Sequence, residues 1–255
     1  MQNHFIAFKT ILIKEFLRFI RIWIQTIIPP MVTVGLYFII FGNLIGSRLG
    51  KIDGFSYMEY IAPGLIMMAV ITNSYSNVVS SFFSSKFHRH IEEMLVSPMP
   101  NYIIILGFVA GGMARGGIVG LAVMGVSILF IEINIFDILI MILVILLTAL
   151  LFSLGGLING VFARSFDDVS IVPTFVLTPL TYLGGIFYSI EMLPDFWQQA
   201  SKLNPILYIV NTFRYGMLGI TDISLGMSFA IICGFCLLLY LWSLYLLNKG
   251  VGIKN

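Results

Sequence analysis

Lys86 to Pro100, KFHRHIEEMLVSPMP, is a short charged segment between two long apolar runs. Lys86, His88, Arg89, His90, Glu92 and Glu93 are crowded into its first eight positions, whereas whole runs on either side carry almost no charge. Such a segment reads as a cytoplasmic handle on a protein that is otherwise embedded in lipid.

The composition supports that reading. Hydrophobic residues make up 59% of the 255 and charged residues 10%, against about 25% charged in a soluble domain. The mean hydropathy is +1.01. The apolar residues fall in blocks of about 20, the length at which a helix crosses a hydrocarbon layer of roughly 30 Å. Six spans are predicted, at Ile27–Ile45, Tyr60–Phe82, Ile103–Ile131, Ile138–Phe162, Ile171–Ile190 and Met227–Leu247. Lipid offers no hydrogen-bond partners, and the apolarity is continuous instead of alternating, so helices are favoured over a barrel. The expected fold class is an all-α polytopic membrane protein.

Orientation follows from the basic residues outside these spans. Lys9, Lys14, Arg18, Arg21, Lys86, Arg89, Arg164, Lys249 and Lys254 lie on the side of both termini, and only Arg48, Lys51, Lys202 and Arg214 on the other. Both termini and the Lys86 segment are therefore expected in the cytoplasm, with 249–255 as a tail. The net charge of +2 reports topology more than partners, and no nucleic-acid surface is implied. No cleavable signal is evident, because Lys9, Lys14, Glu15, Arg18 and Arg21 run through the first apolar stretch instead of preceding it.

Residues 1–26 differ from a span. Thr10, Lys14, Arg18, Arg21 and Gln25 share one helical face, while Phe5, Ile6, Ile13, Phe16, Leu17 and Ile20 lie largely away from it. This predicts an amphipathic helix in the membrane interface. Pro29-Pro30 then suits a chain break and the first turn of span 1.

Polar and small residues inside the spans are informative. Gly107, Gly111, Gly112, Gly116, Gly117 and Gly120 in span 3 include spacings of four, which let helix backbones approach closely. Arg115 sits among them, either deep in the membrane with a function or snorkelling to the headgroups. In span 2, Thr72, Asn73, Ser76, Asn77, Ser80, Ser81, Ser84 and Ser85 form a stripe suited to lining a pathway or to bonding neighbouring helices. Asn73, Asn77 and Arg115 are the candidate pathway residues. The segment 191–226 is too apolar for an ordinary loop and is broken by Pro194 and Asn204-Pro205, which predicts short helices dipping back toward the outer leaflet.

The IEEMLVSPMP run after span 2, and PTFVLTPLTYLGGIFYSIEMLPDFWQQASKLNPILYIVNTFRYGMLGI from span 5 onward, resemble type-2 ATP-binding-cassette export permeases over nearly the whole chain. The resemblance implies a transmembrane domain over 27–248 that moves an amphipathic, lipid-like or glycan-type substrate or a drug outward. It implies a separate cytoplasmic ATPase in two copies, holding ATP and Mg, and pairing of two permeases as a homodimer or heterodimer in the inner membrane. It also makes 86–97 a coupling helix. There Phe87, Ile91, Met94 and Leu95 supply an apolar face and Arg89, Glu92 and Glu93 set the register.

No cofactor or catalytic group is expected in this chain. The nearest phosphate-loop look-alike, Gly46 to Ile52, has the wrong spacing and ends in Ile where Ser or Thr is needed. Cys233 and Cys236 have C-x-x-C spacing but lie within an apolar span, and His88 and His90 alone are a weak metal signal. Asp167-Asp168 reads as a helix cap. A secondary transporter would place a carboxylate at mid-membrane, whereas every Asp and Glu falls at a span end or in a loop, and an intramembrane lipid-modifying enzyme would need clustered acidic ligands.

Overall fold

The structure, a computed structural model, describes residues 2–44, 51–52, 54–132 and 135–252. Ile45 at the end of span 1, Arg48, residues 46–50 of the phosphate-loop look-alike, and Lys254 lie outside the described residues. The described chain is almost wholly helical: α1 (Gln2–Arg21), α2 (Trp23–Leu44), α3 (Tyr57–Phe87), α4 (His90–Val96), α5 (Asn101–Ser127), α6 (Ile138–Phe162), α7 (Phe166–Val172), α8 (Thr178–Tyr182), α9 (Asp195–Ser201), α10 (Pro205–Leu218) and α11 (Leu225–Lys249). A two-residue antiparallel hairpin, β1 (Lys51–Ile52) with β2 (Phe55–Ser56), pairs Lys51 with Ser56 and Ile52 with Phe55.

Among the described residues, five helices are long and apolar enough to cross a membrane: α2 (over Trp23–Gly42), α3, α5, α6 and α11. The predicted span Ile171–Ile190 is the exception. Its helical part is α7, a π-helical turn at Pro173–Leu177 and α8, of seven, five and five residues, and the chain leaves the helix at Leu183. The prolines explain the irregularity. Pro173 has no N–H for the carbonyl of Val169, which is taken instead by Asn159 Nδ2 at 3.2 Å. The main-chain N–H of Thr178 reaches back to Pro173 O, the wider bond of a π turn.

Pro29 and Pro30 do not break the chain or open a helix. They sit inside α2, which begins at Trp23, and remove the bonds that would run to the carbonyls of Gln25 and Thr26. The turn between α1 and α2 falls at Ile22 instead.

α3 is the centre of the molecule, packed chiefly on α6 and α5 and also on α10 and α2. Ser56 and Glu59 close a capping box at its start. Backbone approach explains the glycines. A Cβ on Gly156 of α6 would meet the carbonyl of Tyr75 in α3 at 2.5 Å. The glycines of α5 meet three neighbours: Gly107 and Gly111 face Ile11 and Glu15 of α1, Gly116 and Gly120 face α3, Gly112 lies between Val78 of α3 and Ser153 of α6, and Gly117 faces open space.

α1 is more than an amphipathic surface helix. Phe5, Ile6, Ile13 and Leu17 are exposed as expected for a lipid-facing side, but Ile11, Glu15 and Phe19 form a third, buried side docked on α5. In the segment 191–226, α9 and α10 are indeed short helices. Asn204 caps α10 by accepting from the N–H of Ile206, and Pro205 takes the first helical position. Ile206 to Phe213 are buried without interruption, packed on α6, α3 and α11.

Candidate functional site

The polar stripe of α3 is two stripes. Thr72 and Ser80 are exposed and Ser76 half-buried, whereas Asn73, Asn77, Ser81 and Ser85, one step around the helix, are buried. The first pair of pathway candidates meets: Arg115 Nη2 of α5 donates to Asn73 Oδ1 at 3.1 Å. Arg115 Nε is buried and has no hydrogen-bond partner among the described residues. Both side chains line a cavity of about 340 Å³ between α2, α3 and α5, together with Thr26, Thr33, Thr72 and Ser76. Pro29, Pro30, Val34, Met68 and Ala69 form the apolar part of its wall, so the part of α2 that has lost main-chain bonds faces a space of mixed polar and apolar character. A guanidinium with one amide partner, in a cavity that four hydroxyl side chains also line, can bind an anionic or multiply hydroxylated group without a covalent step.

Asn77 is not part of this cavity. Its side-chain and main-chain oxygens accept from Arg18 Nη2 of α1 at 2.7 and 2.9 Å. Arg18 also holds Glu15, with Nε and Nη2 each 3.3 Å from Oε2, while Ser81 Oγ donates to Oε1 at 2.6 Å. Glu15 is fully buried. A buried carboxylate is tolerated only when paired and hydrogen-bonded, and this one is both. The sequence reading passed over Glu15 as one charge in a basic N-terminal helix. The signal was its i, i+4, i+8 alignment with Ile11 and Phe19, opposite the glycines of α5.

The charged segment holds three surprises. Lys86 and Phe87 belong to the last turn of α3, and the separate helix covers only His90–Val96, after a turn in which Arg89 adopts left-handed backbone (φ 61°). Lys86 Nζ donates to the carbonyls of Val161 and Ala163 at 2.6 and 2.8 Å, neutralising the C-terminal end of α6. Ile91, placed on a docking face by the sequence, is wholly buried in the molecule's own core beside Phe82, Ile104 and Leu157. Met94 and Leu95 pack partly on the same cluster, and Phe87 contacts the rings of Phe83 and Phe166. α4 and its approach offer Phe87, His88, Arg89, His90, Glu92, Glu93 and Val96 to solvent; of these His88, His90 and Val96 lie outside the expected coupling set.

Arg214, counted as an outer-loop cation, is buried in α10. Its Nη2 donates to Gly185 O at 2.7 Å, and the guanidinium lies 4.0 Å over the ring of Tyr60. No local pattern flags this contact, which joins segments over a hundred residues apart. The remaining features are structural. Ser165 and Asp168 form a capping box for α7, Asp168 accepting from the N–H groups of Arg164 and Ser165 at 2.8 and 3.1 Å. These bonds, that of Arg164 foremost, hold the Asp168 carboxyl below its ordinary range. Cys233 and Cys236 are free thiols, one exposed and one buried. Among the described residues no three His, Cys, Asp or Glu are grouped to hold a metal ion.

Comparison with known proteins agrees with this architecture. Residues 6–218 match the family described as ABC-2 type transporter. The chain is 55% identical over 255 residues, all of both chains, to the inner membrane transport permease YadH of Escherichia coli (strain K12). It is 23% identical over 237 residues, 92% of each chain, to nodulation protein J of Rhizobium leguminosarum bv. viciae. With helices suited to crossing a bilayer and a match of this extent, the chain belongs to the ABC-2 type transporter family and is a multi-pass inner-membrane permease subunit of an ABC transporter.

Proposed function

We propose that this permease exports an amphipathic, lipid-like or glycan-type substrate or a drug by alternating access, with the polar cavity around Arg115 and Asn73 as part of its pathway. The observation that carries the reading is a cation and an amide bonded to each other at 3.1 Å in a hydroxyl-lined cavity between three long helices. Polar groups in spans are costly unless used, and a cavity lets them meet a polar cargo. Ile171–Ile190, from the end of α7 through the π turn and α8, completes six crossings as the fifth in chain order; this leaves both termini in the cytoplasm and α9 and α10 at the outer leaflet.

Energy would come from a separate ABC ATPase binding Mg and ATP, with two copies serving a pair of permeases, either identical or sister chains. Two six-span chains facing each other on a two-fold axis would enclose the pathway. Phe87, Arg89, Glu92, Glu93 and Val96 are the surface we assign to that ATPase. Ile91, Met94 and Leu95 then act as the linkage inward: movement of α4 is passed to the cluster that holds α3, α5 and α6. A ligand that binds one ATPase arrangement better than another shifts the permease between access states by that difference.

The test is accessibility. Cys233 and Cys236 are replaced by Ser, single cysteines are placed at Thr72 and Ser76, and a membrane-impermeant maleimide is applied to the permease reconstituted with its ATPase. Labelling that changes with ATP is the expected result. Absence of labelling in every nucleotide state, from either side, contradicts the pathway.

A further inference from the structure

A second polar cavity, of about 310 Å³, lies on the other stripe of α3, toward its C-terminal end. It is lined by Lys14 and Arg18 of α1, Ser81, Ser84 and Ser85 of α3, His88 before α4 and His90 at its start. Every one of these side chains can donate a hydrogen bond. The nearby carboxylate, Glu15, does not line the cavity, because it is buried behind it in the bonds of Arg18 and Ser81. Lys14 is about half exposed, and its own contacts are loose: Ser85 Oγ at 3.4 Å, Glu15 Oε1 at 4.0 Å, and the Phe108 ring centroid at 5.6 Å. His88 turns Nδ1 to Ser84 O at 2.8 Å, and its ring stacks on that of His90, centroids 6.0 Å apart.

A concave site with the ammonium of Lys14, the Glu15-paired guanidinium of Arg18, three hydroxyls and two imidazoles, and no lining carboxylate, is complementary to a ligand that only accepts hydrogen bonds and carries negative charge. We propose that this cavity binds a phosphate group, as borne by the headgroup of an anionic phospholipid or by a soluble phosphorylated ligand. Two features favour the lipid as source. Ile13 and Leu17, exposed apolar neighbours of Lys14 on α1, offer acyl chains a surface beside the site. The cavity also joins α1, α3 and the turn before α4, so its ligand would brace the interfacial helix against the charged segment. The inference does not depend on cargo or on export direction.

The test uses the full-length protein in mild detergent, with native mass spectrometry counting retained dioleoylphosphatidylglycerol against dioleoylphosphatidylcholine. Lys14→Gln is expected to weaken the first phosphatidylglycerol adduct about fivefold, the effect of one cation near a membrane surface, and His90→Gln to weaken it less. Lys9→Gln, on the same helix but outside the cavity, is expected to change nothing. Displacement of the adduct by excess inorganic phosphate identifies the phosphate of a lipid headgroup as the recognised group. Thermal stabilisation by inorganic phosphate that Lys14→Gln abolishes, without preference for phosphatidylglycerol, identifies a soluble source. Equal binding by the wild type and Lys14→Gln in both assays, or equal losses in Lys9→Gln and Lys14→Gln, overturns the site.

Discussion

Arg18 of α1 reaches Asn77 of α3 with a single nitrogen, Nη2, bonded to the side-chain oxygen at 2.7 Å and the main-chain oxygen at 2.9 Å. The same guanidinium neutralises the buried Glu15, so one residue fixes both the position and the charge balance of the N-terminal helix. Removing Arg18 leaves the buried carboxylate with only the Ser81 hydroxyl and a Lys14 ammonium 4.0 Å away, at a cost of about 3 kcal/mol. Arg18→Met is expected to lose that stability in detergent unfolding, and Glu15→Gln in the same background to recover more than half of it. Equal destabilisation of the single and double variants would show that the pair is not coupled.

The close approach of α1 to α5 rests on Gly111, where an added Cβ would lie 2.5 Å from Glu15 Cβ. Gly111→Val is therefore expected to push α1 away and cost about 1–3 kcal/mol, the range for overpacking. Gly117→Ala, which meets no neighbouring atom within 4 Å, is expected to be neutral or slightly stabilising. Limited proteolysis of the α1–α2 turn reads the difference.

Lys86 joins the ends of α3 and α6 through the carbonyls of Val161 and Ala163. Lys86→Met keeps the aliphatic stem and removes both bonds. Its expected cost is about 2 kcal/mol, the range for hydrogen bonds to a charged group. Hydrogen exchange over the last turn of α6 is expected to quicken in this variant, and unchanged exchange there would refute the capping role.

Acid should loosen the start of α7. The Asp168 carboxyl is held below its ordinary value of 3.8, first by the main-chain N–H of Arg164 and then by the hydroxyl and N–H of Ser165. Because the folded value is the lower one, the stabilisation is complete above the unfolded value and is lost as pH falls through the folded value. Protection of the Arg164 and Ser165 amides is expected to persist at neutral pH and fail only at strong acidity. In Asp168→Ala it should already be weak at neutral pH.

The sequence was most legible where lipid imposes length. α6 runs from Ile138 to Phe162, the predicted span, because a continuous apolar run bounded by Asp137 and Ala163 leaves no alternative. It was least legible where tertiary contact overrides local character. The run 171–190 has the apolarity of a span, yet Pro173 and Pro179 deny two main-chain bonds, and the helix ends at Tyr182. Of the pathway candidates, Asn73 and Arg115 come together, whereas Asn77, four residues along the same helix, serves α1 instead. Helical spacing put Ile91 on one face with Met94 and Leu95. It carried no information on whether that face turns outward to a partner or inward to Phe82 and Ile104. Arg214 over Tyr60 had no local signature at all.

The assignment of the exposed rim of α4 to an ATPase makes a reversal of charge informative. Glu92 and Glu93 are both exposed, so Glu92→Lys with Glu93→Lys is expected to alter stability by no more than about 1 kcal/mol, about 0.5 for each surface substitution, while abolishing association with the ATPase. Unfolding of the double variant, with the partner still bound to the surviving fraction, would place the contact elsewhere.

The most direct measurement is affinity capture of the tagged, full-length chain in mild detergent, with the co-purifying subunits identified and their ATP hydrolysis assayed. The predicted result is an ABC ATPase in equal proportion to the permease, with Mg-dependent activity that disappears when Glu92 and Glu93 are reversed. A permease that is reproducibly recovered intact and without an ATPase, under conditions that preserve other membrane complexes, would contradict the account.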